Sequence, residues 1–292
     1  SGAALMGDSG SITVTIDGAD NTIPQGSTIL EACRTVGHDI PTLCYLETLT
    51  PASTCRLCVV EVEGTATLAP ACSRIIEPGM VIQTGSDRVR SARRMVLELL
   101  ASSVDLSVAP ELHPLIADYG AEPERHGRGA VQASAVALLP PVVDNDLFVR
   151  DLAKCVLCYR CVEACGDDAQ HTYAISIAGR GFESSVATEY DVSLPDSACV
   201  FCGNCVAVCP TGALMVTTEF NMRRSGTWNA DQQSTTRTVC AFCGVGCNLD
   251  LHVQDGRIVK VTSPFDHEVT LGNLCIKGRF GWQHVHLLDD PP

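Results

Sequence analysis

Two stretches of this chain repeat one cysteine spacing. Cys155, Cys158, Cys161 and Cys165 follow the order Cys-x2-Cys-x2-Cys-x3-Cys, and Cys199, Cys202, Cys205 and Cys209 follow it again, with Pro210 after the last. Four thiols packed so closely cannot line an ordinary helix or strand face; the segment must wrap around something that takes up sulfur. Three near cysteines suit one face of an iron–sulfide cubane, and the fourth points away toward a neighbouring site. By that rule Cys155, Cys158, Cys161 and Cys209 hold one 4Fe–4S cluster, and Cys199, Cys202, Cys205 and Cys165 hold the other. Zinc or chance accounts poorly for the same run occurring twice. Gly166 stands where the first run would ordinarily carry proline.

Composition fits a protein stapled by metal. Of 292 residues 17 are cysteine, while aromatics make up only 5%, so apolar cores must be small. Metal sites contribute folding free energy directly and support such lobes. A disulfide scaffold is the alternative, but residues 1–10 have neither the basic start nor the apolar stretch of a secretory leader. A reducing, cytoplasmic setting is expected. The longest apolar stretch, Ala130 to Val143, is interrupted by Gln132, Ser134 and Pro140-Pro141, too short and broken to span a bilayer. A net charge of −14 argues against a nucleic-acid partner. Arg88, Arg90, Arg93 and Arg94 read as the solvated face of a helix.

Along the chain, SITVTI (11–16) alternates into a strand, and Asp17-Gly18 reads as a hairpin turn. Ser27 is a candidate N-cap for a helix through about Val36, with Gly37 as its stop. VVEVEG (59–64) and VIQT (81–84) read as strands. A helix capped by Ser86 follows, with Val89, Ala92, Val96 and Leu99/Leu100 as its apolar stripe. An Ala/Pro-rich connector closes that region. Residues 166–198 are longer than a minimal two-cluster module needs, so an insertion on its surface is expected. A polar stretch (225–237) precedes a last lobe, where LDLHV and RIVKV flank Asp255-Gly256 as a hairpin. The expected class is α+β and multi-domain, with units at 10–85, 86–145, 146–224 and 236–288.

Two further cysteine sets belong to the first and last units. Cys44, Cys55, Cys58 and Cys72 combine a Cys-x2-Cys pair with two outlying cysteines on loops, a set that could ligate zinc or iron. The text around them, IPTLCY…TCRLCVVEVEG…PAC, resembles the 2Fe–2S β-grasp domain that opens the large peripheral iron–sulfur subunit of respiratory complex I. The same domain opens many iron-only hydrogenases and NAD-linked formate dehydrogenases. The resemblance covers residues 10–100 and implies a 2Fe–2S cluster on these four cysteines. Cys240, Cys243, Cys247 and Cys275, spaced Cys-x2-Cys-x3-Cys-x27-Cys, fit a third 4Fe–4S site. Gly244 and Gly246 there would let backbone N–H groups approach the sulfurs. This stretch is similar to the N-terminal cluster lobe of the molybdenum/tungsten bis-pterin oxidoreductases. That resemblance places Lys277, in LCIKGRFGW, between cluster and pterin; the bland reading is a surface lysine.

One site of the related chains is degenerate. Their pattern His-x3-Cys-x2-Cys-x5-Cys meets HPLIADYGAEPERH (113–126), where Ala117, Gly120 and His126 stand at the cysteine positions. Alanine and glycine cannot ligate iron, so this cluster is expected to be lost, leaving His113 and His126 as surface or packing residues. Cys33, the one cysteine with no set to join, is expected to face the small core.

One 2Fe–2S and three 4Fe–4S clusters make an electron relay. No GxGxxG, P-loop, acid–base pair or activated nucleophile is present to do bond chemistry. The order of modules resembles that of formate dehydrogenase α chains, which implies partners: a bis-pterin Mo or W subunit against residues 236–292, and a flavin (FMN) and NAD-binding iron–sulfur subunit. The family's metal-ligating catalytic residues lie far downstream and are not in these 292 residues, so a split electron-transfer subunit is expected. The alternatives are another bis-pterin or hydrogenase-type NAD-linked complex, or a stand-alone multi-cluster ferredoxin. A colourless zinc scaffold is a further class.

Overall fold

Alternation in the first strand builds half of a small core. The computed structural model describes residues 10–126 and 140–287, which fall into two compact units. In the first, β1 (Ser11–Ile16) and β2 (Ala19–Pro24) pair antiparallel across Asp17-Gly18, both left-handed as a tight hairpin turn requires. Val14, Ile16 and Ile23 point inward. Helix α1 (Ile29–Thr35) closes over them with Ile29, Leu30, Ala32 and Cys33. Its N-cap is Thr28 rather than Ser27. The Thr28 side chain accepts from the Glu31 N–H and Glu31 answers the Thr28 N–H at 2.7 Å, a reciprocal box that Ser27 cannot make. Ser27 Oγ instead donates to the Pro24 carbonyl.

Strands β3 (Val59–Val62), β4 (Ala69–Pro70) and β5 (Val81–Gln83) complete a five-stranded sheet in the order β2-β1-β5-β3-β4, with β1 and β5 parallel. Helix α2 (Asp87–Ser103) starts at Ser86, whose Oγ accepts from the Val89 N–H at 3.3 Å. It buries Val89, Arg93 and Leu97, together with Glu98 and Ser102. The buried face is thus turned from the expected apolar stripe, and Leu99 stays half exposed. Arg93 corrects the reading of a solvated arginine face. Its guanidinium is buried, donating to the Val59 carbonyl and to Tyr119 Oη at 2.8 Å each. Helix α3 (Leu112–Asp118) and a short 3-10 turn at Pro123–His126 pack on α2, and residues 86–103 and 110–126 group with the first unit. Residues 127–139 of the expected connector lie outside the described residues.

The second unit has two parts. In the first part β6 (Phe148–Arg150) pairs antiparallel with β9 (Leu214–Val216), and between them lie α4 (Arg160–Cys165), the strands β7 (Ser176–Ala178) and β8 (Ser185–Ala187), and α5 (Asn204–Ala207). Strands this short gain little from pairing alone. The core they share is Phe148, Ile175, Val186, Leu194, Leu214 and Val216 with the cysteines around it. The insertion expected on the surface therefore contributes core. Strands β7 and β8 form a hairpin whose Val186 is buried, though Phe182 and Tyr190 at its far ends are exposed. Helix α6 (Thr217–Arg224) follows.

The second part is a three-stranded antiparallel sheet of β10 (Ser234–Val239), β11 (Asn248–Gln254) and β12 (Arg257–Thr262). Asp255-Gly256 makes the hairpin turn with both residues left-handed. Strand β10 begins inside the stretch expected to be a separator, its backbone pairing with β11 from Ser234 opposite Val253 to Val239 opposite Asn248. Helices α7 (Ile276–Phe280) and α8 (Gln283–Leu287) follow Cys275, which is the N-cap of α7.

Candidate iron–sulfur sites

The first site is gathered by loops around β3. Cys58 and Cys72 lie in the core beneath α1, and Cys44 is buried beside them. The Cys44 thiol lies against those of Cys55 and Cys72, and the Cys58 thiol against that of Cys72. Cys55 and then Cys72 hold the Cys44 thiol well below its usual range, and Cys72 brings Cys58 down to about 7. Ser53 and Arg56 are left-handed, which bends the loop so that the Leu57 N–H points at Cys55 Sγ, 3.4 Å away.

The two long runs fold into near-copies of one loop. In the first, Leu157 and Tyr159 are left-handed; in the second, Phe201 and Gly203 are, at the same positions relative to the cysteines. Each loop then enters a short helix, α4 or α5, that carries the third cysteine. The fourth cysteines cross over. One cavity is lined by Cys155, Cys158, Cys161 and Cys209, and the other by Cys199, Cys202, Cys205 and Cys165. Cys209 is felt electrostatically by Cys155, Cys158 and Cys161, and Cys165 by Cys199, Cys202 and Cys205. Val186 of the inserted hairpin and Leu214 of β9 line both cavities. Backbone N–H groups of Phe201 and Leu214 point at Cys199 Sγ and Cys209 Sγ, at 3.4 and 3.5 Å.

Burial raises the thiols of Cys155 to about 11 and of Cys158 to about 12. A buried thiolate needs a positive partner, and a bound metal supplies it by deprotonating the thiol outright. All 17 cysteines are free of disulfides. The donor sets, their N–H···S contacts and their cavities fit the cluster chemistry.

The fourth set is more open. Cys240 is buried, Cys247 half-buried, and Cys243 and Cys275 are exposed. Cys247 is under the influence of the other three, and the Cys240 N–H donates to the Cys247 carbonyl at 2.8 Å. Gly246 is left-handed, but no atom lies within 4 Å of where a side chain would begin at either Gly244 or Gly246. Lys277 is exposed on α7.

At the degenerate site, His113, Ala117 and Gly120 are all exposed, while the His126 side chain lies outside the described residues. The face beside them is filled by polar groups. Tyr119 accepts from Arg93 and stacks under Arg90, and buried Glu98 has Arg94 at 3.9 Å and Arg125 at 3.7 Å.

Sequence reasoning missed Arg279. It is buried at 2% exposure, with Nε donating to the Cys202 carbonyl at 3.0 Å and Nη2 donating to Asn204 Oδ1 at 3.1 Å and the Gly272 carbonyl at 3.3 Å. Burial pulls its guanidinium down to about 10, so it remains charged at neutral pH. The only sequence signal is indirect: the second run carries glycine at 203 where the first carries Tyr159.

Comparison with known proteins follows the same division. Residues 9–87 match a 2Fe-2S iron-sulfur cluster binding domain, 154–213 a 4Fe-4S dicluster domain, and 233–287 the molybdopterin oxidoreductase Fe4S4 domain. The chain is 34% identical over 288 residues to the NADPH-Fe(3+) oxidoreductase subunit alpha of Geobacter sulfurreducens, covering 95% of this chain and 32% of that protein. It is 28% identical over 320 residues to a Staphylococcus haemolyticus protein provisionally named a formate dehydrogenase, covering 94% of this chain and 31% of that one. The chain thus spans about a third of the length of these relatives. Among solved structures, an NAD+-reducing [NiFe]-hydrogenase in the H2-reduced state superposes with a TM-score of 0.58 at 25% identity, over 70% of this chain and 87% of that chain. This chain therefore carries 2Fe–2S, 4Fe–4S dicluster and molybdopterin-oxidoreductase Fe4S4 domains in that order.

Proposed function

We propose that these 292 residues are the electron-transfer part of a formate dehydrogenase, connecting a bis-pterin Mo or W centre to a flavin and NAD(H) site. Both of those centres lie outside this sequence, on partner chains or further polypeptide. In this reading Cys44, Cys55, Cys58 and Cys72 hold a 2Fe–2S cluster. Cys155, Cys158, Cys161 and Cys209 hold a 4Fe–4S cluster, as do Cys199, Cys202, Cys205 and Cys165, and Cys240, Cys243, Cys247 and Cys275. When bound, each cluster takes up and gives back one electron. Formate oxidation to CO2 releases two electrons and a proton, and NAD+ takes up two electrons and a proton, so a chain of one-electron sites balances the exchange.

What the protein itself does is hold and insulate. Val186 of β8 and Leu214 of β9 wall both cavities, Phe148 of β6 walls one, and left-handed loop residues aim N–H groups at sulfur. Such hydrogen bonds and burial tune cluster potentials. The exposure of Cys243 and Cys275 suits the end of the relay that meets a pterin, with Lys277 on the same helix. The observation that carries the reading is the presence, in one chain, of a dicluster domain followed directly by the Fe4S4 domain of molybdopterin oxidoreductases.

A second reading, an NADPH-linked or hydrogen-linked complex with no formate chemistry, is favoured by the higher identity to the Geobacter protein and by the hydrogenase superposition. Anaerobic purification from the native source separates the two. Formate-dependent NAD+ reduction with molybdenum or tungsten in the co-eluting material is expected. Material that lacks both metals, or is reduced by hydrogen or NADPH but not formate, overturns the formate assignment. A monomer with no stable partner would point instead to a free carrier.

A further inference from the structure

Arg279 is a buried cation with only neutral hydrogen-bond partners. Its Nε and Nη2 meet the Cys202 carbonyl, the Asn204 side-chain oxygen and the Gly272 carbonyl, and its own N–H donates to the Cys275 carbonyl at 3.0 Å. Among the described residues it has no carboxylate partner. A guanidinium taken out of water without a counter-ion is costly, and neutral acceptors offset only part of that cost. It is tied to cysteines of two different sets, its side chain to the Cys202 carbonyl and its backbone N–H, one helical turn on, to the Cys275 carbonyl.

The second loop is shaped to admit this side chain. A Cβ at Gly203 would lie 2.3 Å from Arg279 Cδ and 2.9 Å from Phe280 Cζ, so only glycine lets the arginine stem pass. The first loop carries Tyr159 at the same position and with the same left-handed backbone. Asn204 adds a clamp, its Oδ1 accepting both from Arg279 and from the Leu274 N–H at 3.0 Å. Residues 202–205 and 272–279 are thus locked together around one positive charge.

We propose that Arg279 is a shared counter-charge for the clusters of the Cys199–Cys205 loop and of the Cys240–Cys275 lobe, raising the potential of both at the junction between the two modules. This rests on the reading that both cysteine sets hold 4Fe–4S clusters. A positive charge held in a low-dielectric site stabilises the reduced, more negative cluster over the oxidised one. Arg279 is a positioning and tuning residue: it touches the backbone of ligand residues and carries no electron itself.

The test is an EPR-monitored redox titration of the anaerobically purified, cluster-loaded full chain, with iron and sulfide counted per chain. Wild type, Arg279→Lys, Arg279→Met and Arg279→Gln are compared. Wild-type protein lacking 4Fe–4S signals would remove the underlying reading. With those signals present, the neutral variants are expected to lower the reduced-to-oxidised ratio about tenfold at a fixed poise, which is a midpoint about 59 mV lower for one electron. The lysine variant should stay near wild type. Cluster loss in both neutral variants with retention in the lysine variant also supports a counter-charge. Unchanged midpoints in Met and Gln, an equal fall in all three, or cluster loss in all three overturns the proposal.

Discussion

The guanidinium of Arg93 sits between two acceptors of different kinds, a strand carbonyl at Val59 and the hydroxyl of Tyr119. Because Val59 follows Cys58 directly, this contact braces the wall of the first site as well as the helix. Arg93→Met should destabilise the first unit by about 2 kcal/mol, since a buried carbonyl then loses its charged donor. The check is amide hydrogen exchange in β3 and β5, which should quicken; unchanged exchange would mean that Arg93 holds nothing there. At the cysteines the informative experiment is a pair rather than a single change. If ligation is crossed, Cys161→Ser with Cys209→Ser disables one cluster and removes about 4 irons per chain; if each run holds its own cluster, the same pair removes about 8. The cysteine sets were legible because the core of each, a Cys-x2-Cys or longer run, is written within a few residues. Arg279 and Arg93 were not, because the acceptors that make their burial tolerable lie 77 and 34 residues away in sequence.

Among the elements, α6 has the clearest mechanical task. Its Glu219 is nearly buried and receives Arg223 Nε at 2.9 Å from its own helix and Lys260 Nζ at 2.9 Å from β12, joining the ferredoxin-like part to the last sheet. Burial alone would raise its carboxyl, but Lys260 and then Arg223 outweigh it and hold it below the usual 4.5. A depressed carboxylate contributes stability that is present above its unfolded value and lost as pH falls through its folded one. Glu219→Gln should therefore cost about 1–2 kcal/mol at neutral pH, discounted because both cations are about a third exposed. The gap to wild type should close as pH drops below 4.5. A gap that persists at pH 3 would assign the loss to packing instead. Most elements were readable from their pattern: β1, β11 and β12 by alternation, and the β1–β2 and β11–β12 hairpins by Asp-Gly. Helix α2 was readable as a helix but not in its buried face. Leu99 is left half exposed while Glu98 goes under, since Arg94 and Arg125 are there to meet it.

For the whole molecule, the two units differ in what holds them. The first has a continuous apolar core in which Val14, Ile16, Ile29, Leu30, Val60 and Ile82 meet across a five-stranded sheet and a helix. The ferredoxin-like part of the second has two-stranded pairs three residues long, and cysteines stand in its core where larger side chains would otherwise be. Bound metal adds its binding free energy to folding, and most where the apolar contribution is least. Stripping iron with a chelator under reducing, anaerobic conditions should therefore act unevenly. Residues 146–224 should lose hydrogen-exchange protection almost completely, whereas β1, β2 and the first turns of α2 keep most of theirs. Loaded protein should contain about 14 irons per chain, and protection in 146–224 should fall in step with the iron lost from its two sites. Equal loss in both units would show that the first also depends on its cluster, through Cys58 and Cys72 in its core. Full protection everywhere after iron removal would mean that packing alone carries the fold.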